Sequence, residues 1–112
     1  MAETELTKSF AFSASHASGA RAIGRNYTFW ITVEALDEAR ELELEATVRR
    51  ELIEKLHTRD LSEQVDFLKH VEKTDAALLD AFWARLSKPL APYRPRRLAL
   101  QRDARTVTTL HL

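Results

Sequence analysis

Two stretches decide the fold: Phe10-Ala-Phe-Ser-Ala-Ser-His16, and, after a short loop, Gly24-Arg25-Asn26-Tyr27, which runs on through Thr28-Phe-Trp-Ile-Thr-Val-Glu34. In the first, Phe10, Phe12 and Ala14 alternate with Ala11, Ser13 and Ser15, the period-two pattern of a strand with one face buried. In the second, Phe29, Ile31 and Val33 share one face, and Thr28, Trp30, Thr32 and Glu34 share the other. This second strand is predicted over residues 27–34, with Gly24 in the turn that launches it. Residues 17–23 form a small loop, so an antiparallel hairpin is the natural pairing. The first strand ends by delivering His16 to the tip of that hairpin.

Outward from the hairpin the period changes. Within residues 43–57, Val48, Leu52, Ile53 and Leu56 fall at helical spacing, with Arg49, Arg50, Glu51, Glu54 and Lys55 on the solvated side. Thr74 reads as an N-cap, with Asp75 in the first turn of a second helix. That helix carries Leu78, Leu79, Phe82, Trp83 and Leu86 on a broad apolar face and must stop before Pro89. Pro89 to Pro95 reads as a linker. Leu98 and Leu100 open a third strand, Arg102 to Arg105 a turn, and Val107 to Leu112 a fourth strand. This order predicts an α+β fold: an antiparallel four-stranded sheet with helices on one face.

Bulk properties narrow the function. A chain of 112 residues reads as one domain, 1–112, near the size at which oligomerisation supplements a core. Its 17 basic and 17 acidic residues cancel, which argues against a nucleic-acid partner. No run approaches the ~18 apolar residues of a membrane span. The chain has no cysteine, hence no disulfide and no thiolate ligand or nucleophile. The acidic opening Met1 to Leu6 is unlike a secretory signal, so a cytoplasmic location is the expectation. The basic stretch Tyr93-Arg-Pro-Arg-Arg97 reads as a solvated loop in a chain of neutral total charge.

The hairpin motifs, taken with the element order, resemble the 6-pyruvoyl-tetrahydropterin synthase and 6-carboxytetrahydropterin synthase family. There the first strand ends in Ser-Ala-x-His or a close variant, the second begins after His-Gly-His-Asn-Tyr, and the three histidines bind zinc. The resemblance implies the T-fold, a ββααββ unit whose sheets join between subunits into a barrel with the helices outside and the active sites between subunits. It therefore implies a homo-oligomer, a trimer or hexamer-like ring. His16 matches the first histidine, but Ile23 and Arg25 flank Gly24. Leu56-His-Thr-Arg-Asp-Leu-Ser62 resembles the segment that carries the family's acid–base pair, which falls on His57 and Thr58. Lys73-Thr74-Asp-Ala-Ala-Leu78 resembles a helix start whose threonine is kept as Thr74 and whose glutamate and asparagine become Ala76 and Ala77. Leu98-Ala-Leu-Gln101 resembles the strand whose terminal glutamate anchors the pterin ring, and here that residue is Gln101. The family's catalytic cysteine has no counterpart.

The chemistry follows residue by residue. Catalytic zinc needs three protein ligands and an open position, whereas Ile23 has no donor atom and Arg25 is a permanent cation. His57, His70 and His111 are spaced in no ligand motif, so no metal and no cofactor are expected. Arg25 is either an anion-binding guanidinium in the former metal pocket or a surface arginine paired to an acid. An amide at Gln101 presents one acceptor and a donor, suiting an N–H/C=O edge of a lumazine-, urate- or xanthine-like ring over a pterin; otherwise it is a polar strand-end residue. His57 with Asp60 is the one acid–base pair on offer, the alternative being a helix-end histidine and a loop aspartate that caps the following turn. The ligand-binding candidates are thus Arg25, Gln101, Thr74 and His16, and the catalytic ones His57 and Asp60. Three functions stay open: a T-fold protein without the lyase chemistry that binds a small pterin- or purine-like heterocycle or anion, a structural oligomer, and a lyase with an unorthodox metal site around His16.

Overall fold

A long hairpin sets the frame. The structure, a computed structural model, describes residues 3–18 and 21–112. Strands β1 (Glu5–Ser18) and β2 (Arg21–Glu34) hold 14 residues each and pair without a slip from Glu5 opposite Glu34 to Ser18 opposite Arg21. At about 3.3 Å per residue each is roughly 46 Å long, most of the molecule's 52 Å principal extent. Both strands are longer than the alternation foretells. Residues 5–9, Glu-Leu-Thr-Lys-Ser, place charged and hydroxyl groups on both faces and hide the period. Lys8 nevertheless takes the core side of the ladder, because its ammonium reaches Glu41 on the covering helix at 2.9 Å. Residues 17, 18 and 21–23 of the expected loop are strand, Ala17 pairing with Ala22, residues 19 and 20 lie outside the described residues, and Gly24 lies inside β2 rather than in a turn.

The sheet has five strands, not four, in the order β3-β1-β2-β4-β5. The extra strand, β3 (Arg59–Asp60), runs parallel to β1 at Ala14 and Ser15 and is too short to leave a periodic signal. Strand β4 (Pro95–Asp103) pairs with β2, and β5 (Thr106–His111) closes that side. Pro95 thus opens a strand, where its missing N–H is tolerated. The presumed linker before it contains a 3-10 turn, Ala91–Tyr93, that buries Leu90 and Tyr93.

The helices cover one face of the sheet. Helix α1 (Glu38–Val48) starts earlier than its apolar spacing suggests, because its first two turns bury only Leu44. Its real start signal is Asp37, whose carboxylate accepts from Arg40 N at 2.9 Å. A π-helical turn (Arg49–Ile53) and the short α2 (Glu54–Leu56) continue it. Helix α3 (Asp75–Leu86) starts on its Thr74 cap, which accepts from Ala77 N at 3.3 Å. Phe10, Phe12, Tyr27, Phe29, Ile31, Val33, Leu98 and Leu100 meet Leu44, Val48, Leu52, Leu56, Leu78, Leu79, Phe82 and Leu86 in one core cluster. Phe82 stands edge-on to Phe29 and Phe12, with centroids 5.9 and 6.5 Å away. Each such side chain contributes about 1.5–3 kcal/mol on burial, which fixes the sheet face that the helices must cover.

Candidate ligand site at the far end of the hairpin

Strand parity sorts the candidate residues by face. Cross-strand partners share a face, so Ala14 opposite Arg25 and His16 opposite Ile23 extend the helix-covered row that begins with Phe10 and Phe29. His16 is buried in that row, at 8% exposure. Gln101 lies opposite Thr28 and therefore on the uncovered face, with Gly24, Asn26 and Trp30. The fold thus places Gln101 on the other side of the sheet from His16 and Arg25.

Two hollows at this end share one wall. The first, about 370 Å³, is lined by Ser13, Ala14, Ser15, Gly24, Arg25, Asn26, Thr58 and Arg59. The second, about 640 Å³, runs from Gly24, Arg25, Asn26 and Thr28 to Gln101 through Asp103. Gly24 to Asn26 form the saddle between them. A Cβ at Gly24 would project into open space, meeting nothing within 4 Å, so the bare glycine leaves the saddle open without being required by the chain's own packing. Arg25 and Gln101, although on opposite faces, line the second hollow together.

The charges at this end are unequally matched. Arg102 Nε lies 3.2 Å from Asp75 Oδ2, which ties β4 to the first turn of α3. Arg25, half-buried, has no carboxylate within ion-pair distance among the described residues. Its charge instead reaches Tyr27, which stacks on Phe12 at 5.1 Å. Burial raises the Tyr27 phenol above its usual range; Arg25 and Arg102 oppose the rise and Asp75 adds to it. Thr74 lies just outside this group, its hydroxyl engaged in the cap of α3.

The acid–base candidates belong to a strap along the edge of β1. The His57 ring accepts the Ser13 backbone N–H at Nδ1, 3.0 Å away, an arrangement available only to the neutral imidazole. Thr58 N and Leu61 N donate to Ser13 O and Ser15 O at 2.6 and 2.7 Å. Asp60 Oδ1 accepts from Ser62 N at 2.8 Å and Glu63 N at 3.1 Å, closing the next turn. The structure brings His57 and Asp60 into one strap but engages each with backbone amides. Thr58 has a positive φ of 62°, a strained conformation for a β-branched residue. Two lining residues, Arg59 and Asn26, were not candidates from the sequence. Arg59 is carried to the site by a two-residue strand, for which no periodic cue exists.

No protein-family model and no curated protein matches the chain. Its structure is similar to that of 6-pyruvoyl tetrahydropterin synthase from Caenorhabditis elegans, with a TM-score of 0.71 over 100% of this chain and 97% of that one, at 14% sequence identity. The chain therefore has the T-fold of that synthase. The zinc that the fold family implies does not fit the residues present. Ile23 and Arg25 flank Gly24, and among the described residues no three His, Cys, Asp or Glu side chains gather as a ligand set. No helix of the described residues is long and apolar enough to cross a membrane.

Proposed function

We propose that this T-fold chain is a binding protein without the zinc-dependent lyase chemistry, and that the hollows around Arg25 and Gln101 take a small heterocycle or anion. One observation carries this reading: a half-buried arginine without a carboxylate partner occupies the position at which a metal ligand would stand. A desolvated guanidinium favours a carboxylate, phosphate or enolate oxygen as its partner. Gln101, in the wall of the same hollow, offers a carbonyl and an N–H₂, a match for the N–H/C=O edge of an oxopurine or lumazine. Arg25 supplies charge, Gln101 ring recognition, and the bare Gly24 saddle the room.

The reading includes a homo-oligomeric ring with the pocket between subunits, in the cytoplasm, with no metal, no nucleic acid and no membrane partner. A purely structural oligomer is favoured by a different observation, the two unpaired sheet edges. β5 ends the sheet on one side, and β3 covers only Ala14 and Ser15 of β1 on the other. Titration calorimetry of the purified protein with xanthine, urate, lumazine and neopterin decides between the two. The binding reading expects lumazine or oxopurine to bind more tightly than the pterin, and Gln101→Glu to reverse that order. A protein that binds none of the four and is a ring of defined size supports the structural reading. Stoichiometric zinc in the purified protein, with turnover lost on His16→Ala, overturns the absence of lyase chemistry.

A further inference from the structure

We infer that the outer face of α1 and of its π-helical turn is a contact surface for a second copy of this chain, docked helix against helix and antiparallel. The contact is distinct from any pairing of sheet edges and needs no bound ligand.

The face is what the fold leaves over after using the rest of the helix. Leu44, Val48 and Leu52 point into the core, and Glu41 and Glu45 turn toward the sheet, where they hold Lys8 at 2.9 and 3.5 Å. Arg40 is turned aside, over the Tyr93 ring at 5.3 Å and against Pro92 O at 3.1 Å. Glu38, Ala39, Leu42, Glu43, Ala46 and Arg50 remain, all exposed. Leu42, at 67% exposure, is the most exposed large hydrophobic side chain among the described residues. Ala39 and Ala46, about one turn to either side, leave it standing proud of the helix.

The charges choose the partner. Acid lies toward the start of the face, where Glu38 and Glu43 make no ion pair among the described residues. Base lies toward its end, where Arg49 and Arg50 pair only with neighbours in the same helical run, Glu45 at 3.2 Å and Glu51 at 3.3 Å. Exposed pairs of this kind contribute little, and a guanidinium has donors for a second carboxylate. A face that is acidic at one end and basic at the other is complementary to an antiparallel copy of itself, the condition an isologous contact must meet. With the twofold axis near Glu45, Glu43 lies about 4.5 Å along the axis from Arg50 of the other copy, and Glu38 about as far from Arg49. Long side chains span that offset, and each pair occurs twice. Leu42 then drops between Ala46 and Arg50 of the other helix.

The helical run from Glu38 to Leu56 is about 28 Å long. With a width of ~10 Å the face buries about 300 Å² per copy, short of the ~800 Å² of a standard interface. The contact is therefore weak and is read at high concentration.

Sedimentation velocity from about 1 µM to about 1 mM tests the inference, with the species at the lowest concentration as the baseline. The wild type is expected to gain mass above that baseline in the upper part of the range, and to lose the gain in high salt. Leu42→Asp, Glu43→Arg and Arg50→Glu change exposed positions, so they keep the wild-type circular dichroism, and each weakens the association at least about tenfold. An equimolar mixture of Glu43→Arg and Arg50→Glu regains it, because each variant then faces the opposite charge. The chain has no cysteine, so Ala46→Cys gives a second readout: mild oxidation links two copies through this position and leaves the control Glu63→Cys unlinked. Wild-type protein that stays at its baseline mass throughout overturns the inference. So does an association that all three substitutions leave intact, or a mixture of the two charge variants that fails to recover it.

Discussion

The two ends of the β1–β2 hairpin treat their arginines in opposite ways. At the end near Glu5 and Glu34, Arg96 reaches Glu3 and Glu34 at 3.0 Å each, Arg97 reaches Glu5 at 2.8 Å, and Arg94 lies 3.8 Å from Glu34. The basic stretch at 93–97 is therefore an ion-pair network. At the other end Arg25 and Arg59 line a hollow with no carboxylate in its wall. The chain itself satisfies its cations where it needs only to hold strands together. Where it leaves them unmatched, the proposed ligand would supply the missing partner. The same residue type is thus paired within the chain at one end and left without a carboxylate partner at the other, and what separates the two is the neighbourhood rather than the arginine.

The largest expected effect lies between the two ends, in the core they share. Phe29 is fully buried, 5.9 Å from the Phe82 ring and 6.5 Å from Phe10. Phe29→Ala should cost about 3–5 kcal/mol, read from urea unfolding, and should melt both ends in one transition. Two separate transitions would show that the ends are independent units, and the contrast between them would then need no common frame.

A smaller effect tests the contrast directly. Arg96→Gln breaks contacts to three glutamates, Glu3, Glu5 and Glu34, so it should lower the urea midpoint, and the loss should shrink as added salt screens the pairs in the wild type. Arg25→Gln removes a cation with no carboxylate partner and should leave the midpoint unchanged or raise it. Equal losses from the two substitutions would mean that Arg25 is a structural arginine after all.

The sequence made one end of this comparison more legible than the other. Phe10, Phe12, Ala14, Phe29, Ile31 and Val33 alternate cleanly because one face is packed and the other is not, so the core of the hairpin and the α+β order could be read directly. The outer thirds of both strands could not, since Lys8, Glu5 and Arg25 are held by partners or hollows rather than by an apolar period. Thr74 was readable as a cap because capping chemistry is local. The fifth strand and Arg59 were not, because a two-residue parallel pairing is decided by β1, with Ala14 opposite Arg59 and Ser15 opposite Asp60, 45 residues away in sequence. Arg25 and Gln101 could be named as positions from the motifs, but strand parity in the folded sheet was needed to place them on opposite faces of one saddle.

The finest test concerns Tyr27, which reports the unmatched charge. Its phenol is raised chiefly by burial, and Arg25 works against the rise. Below the usual phenol range the folded and unfolded chains both keep the proton, so Tyr27 adds no pH dependence to stability. As the pH climbs past about 10, the unfolded chain releases its proton first, and stability falls until the folded phenol titrates as well. The chain has two tyrosines, so a Tyr93→Phe background isolates this one in an absorbance titration at 295 nm. Tyr27 should titrate above the free phenol, and Arg25→Gln should move it higher still, because removing a nearby cation takes away a force that favours the phenolate. An unchanged or lowered midpoint would mean that the Arg25 charge is neutralised by a group from another copy of the chain. The unmatched end would then be matched across a subunit boundary, and the two ends of the hairpin would differ only in which chain supplies the carboxylate.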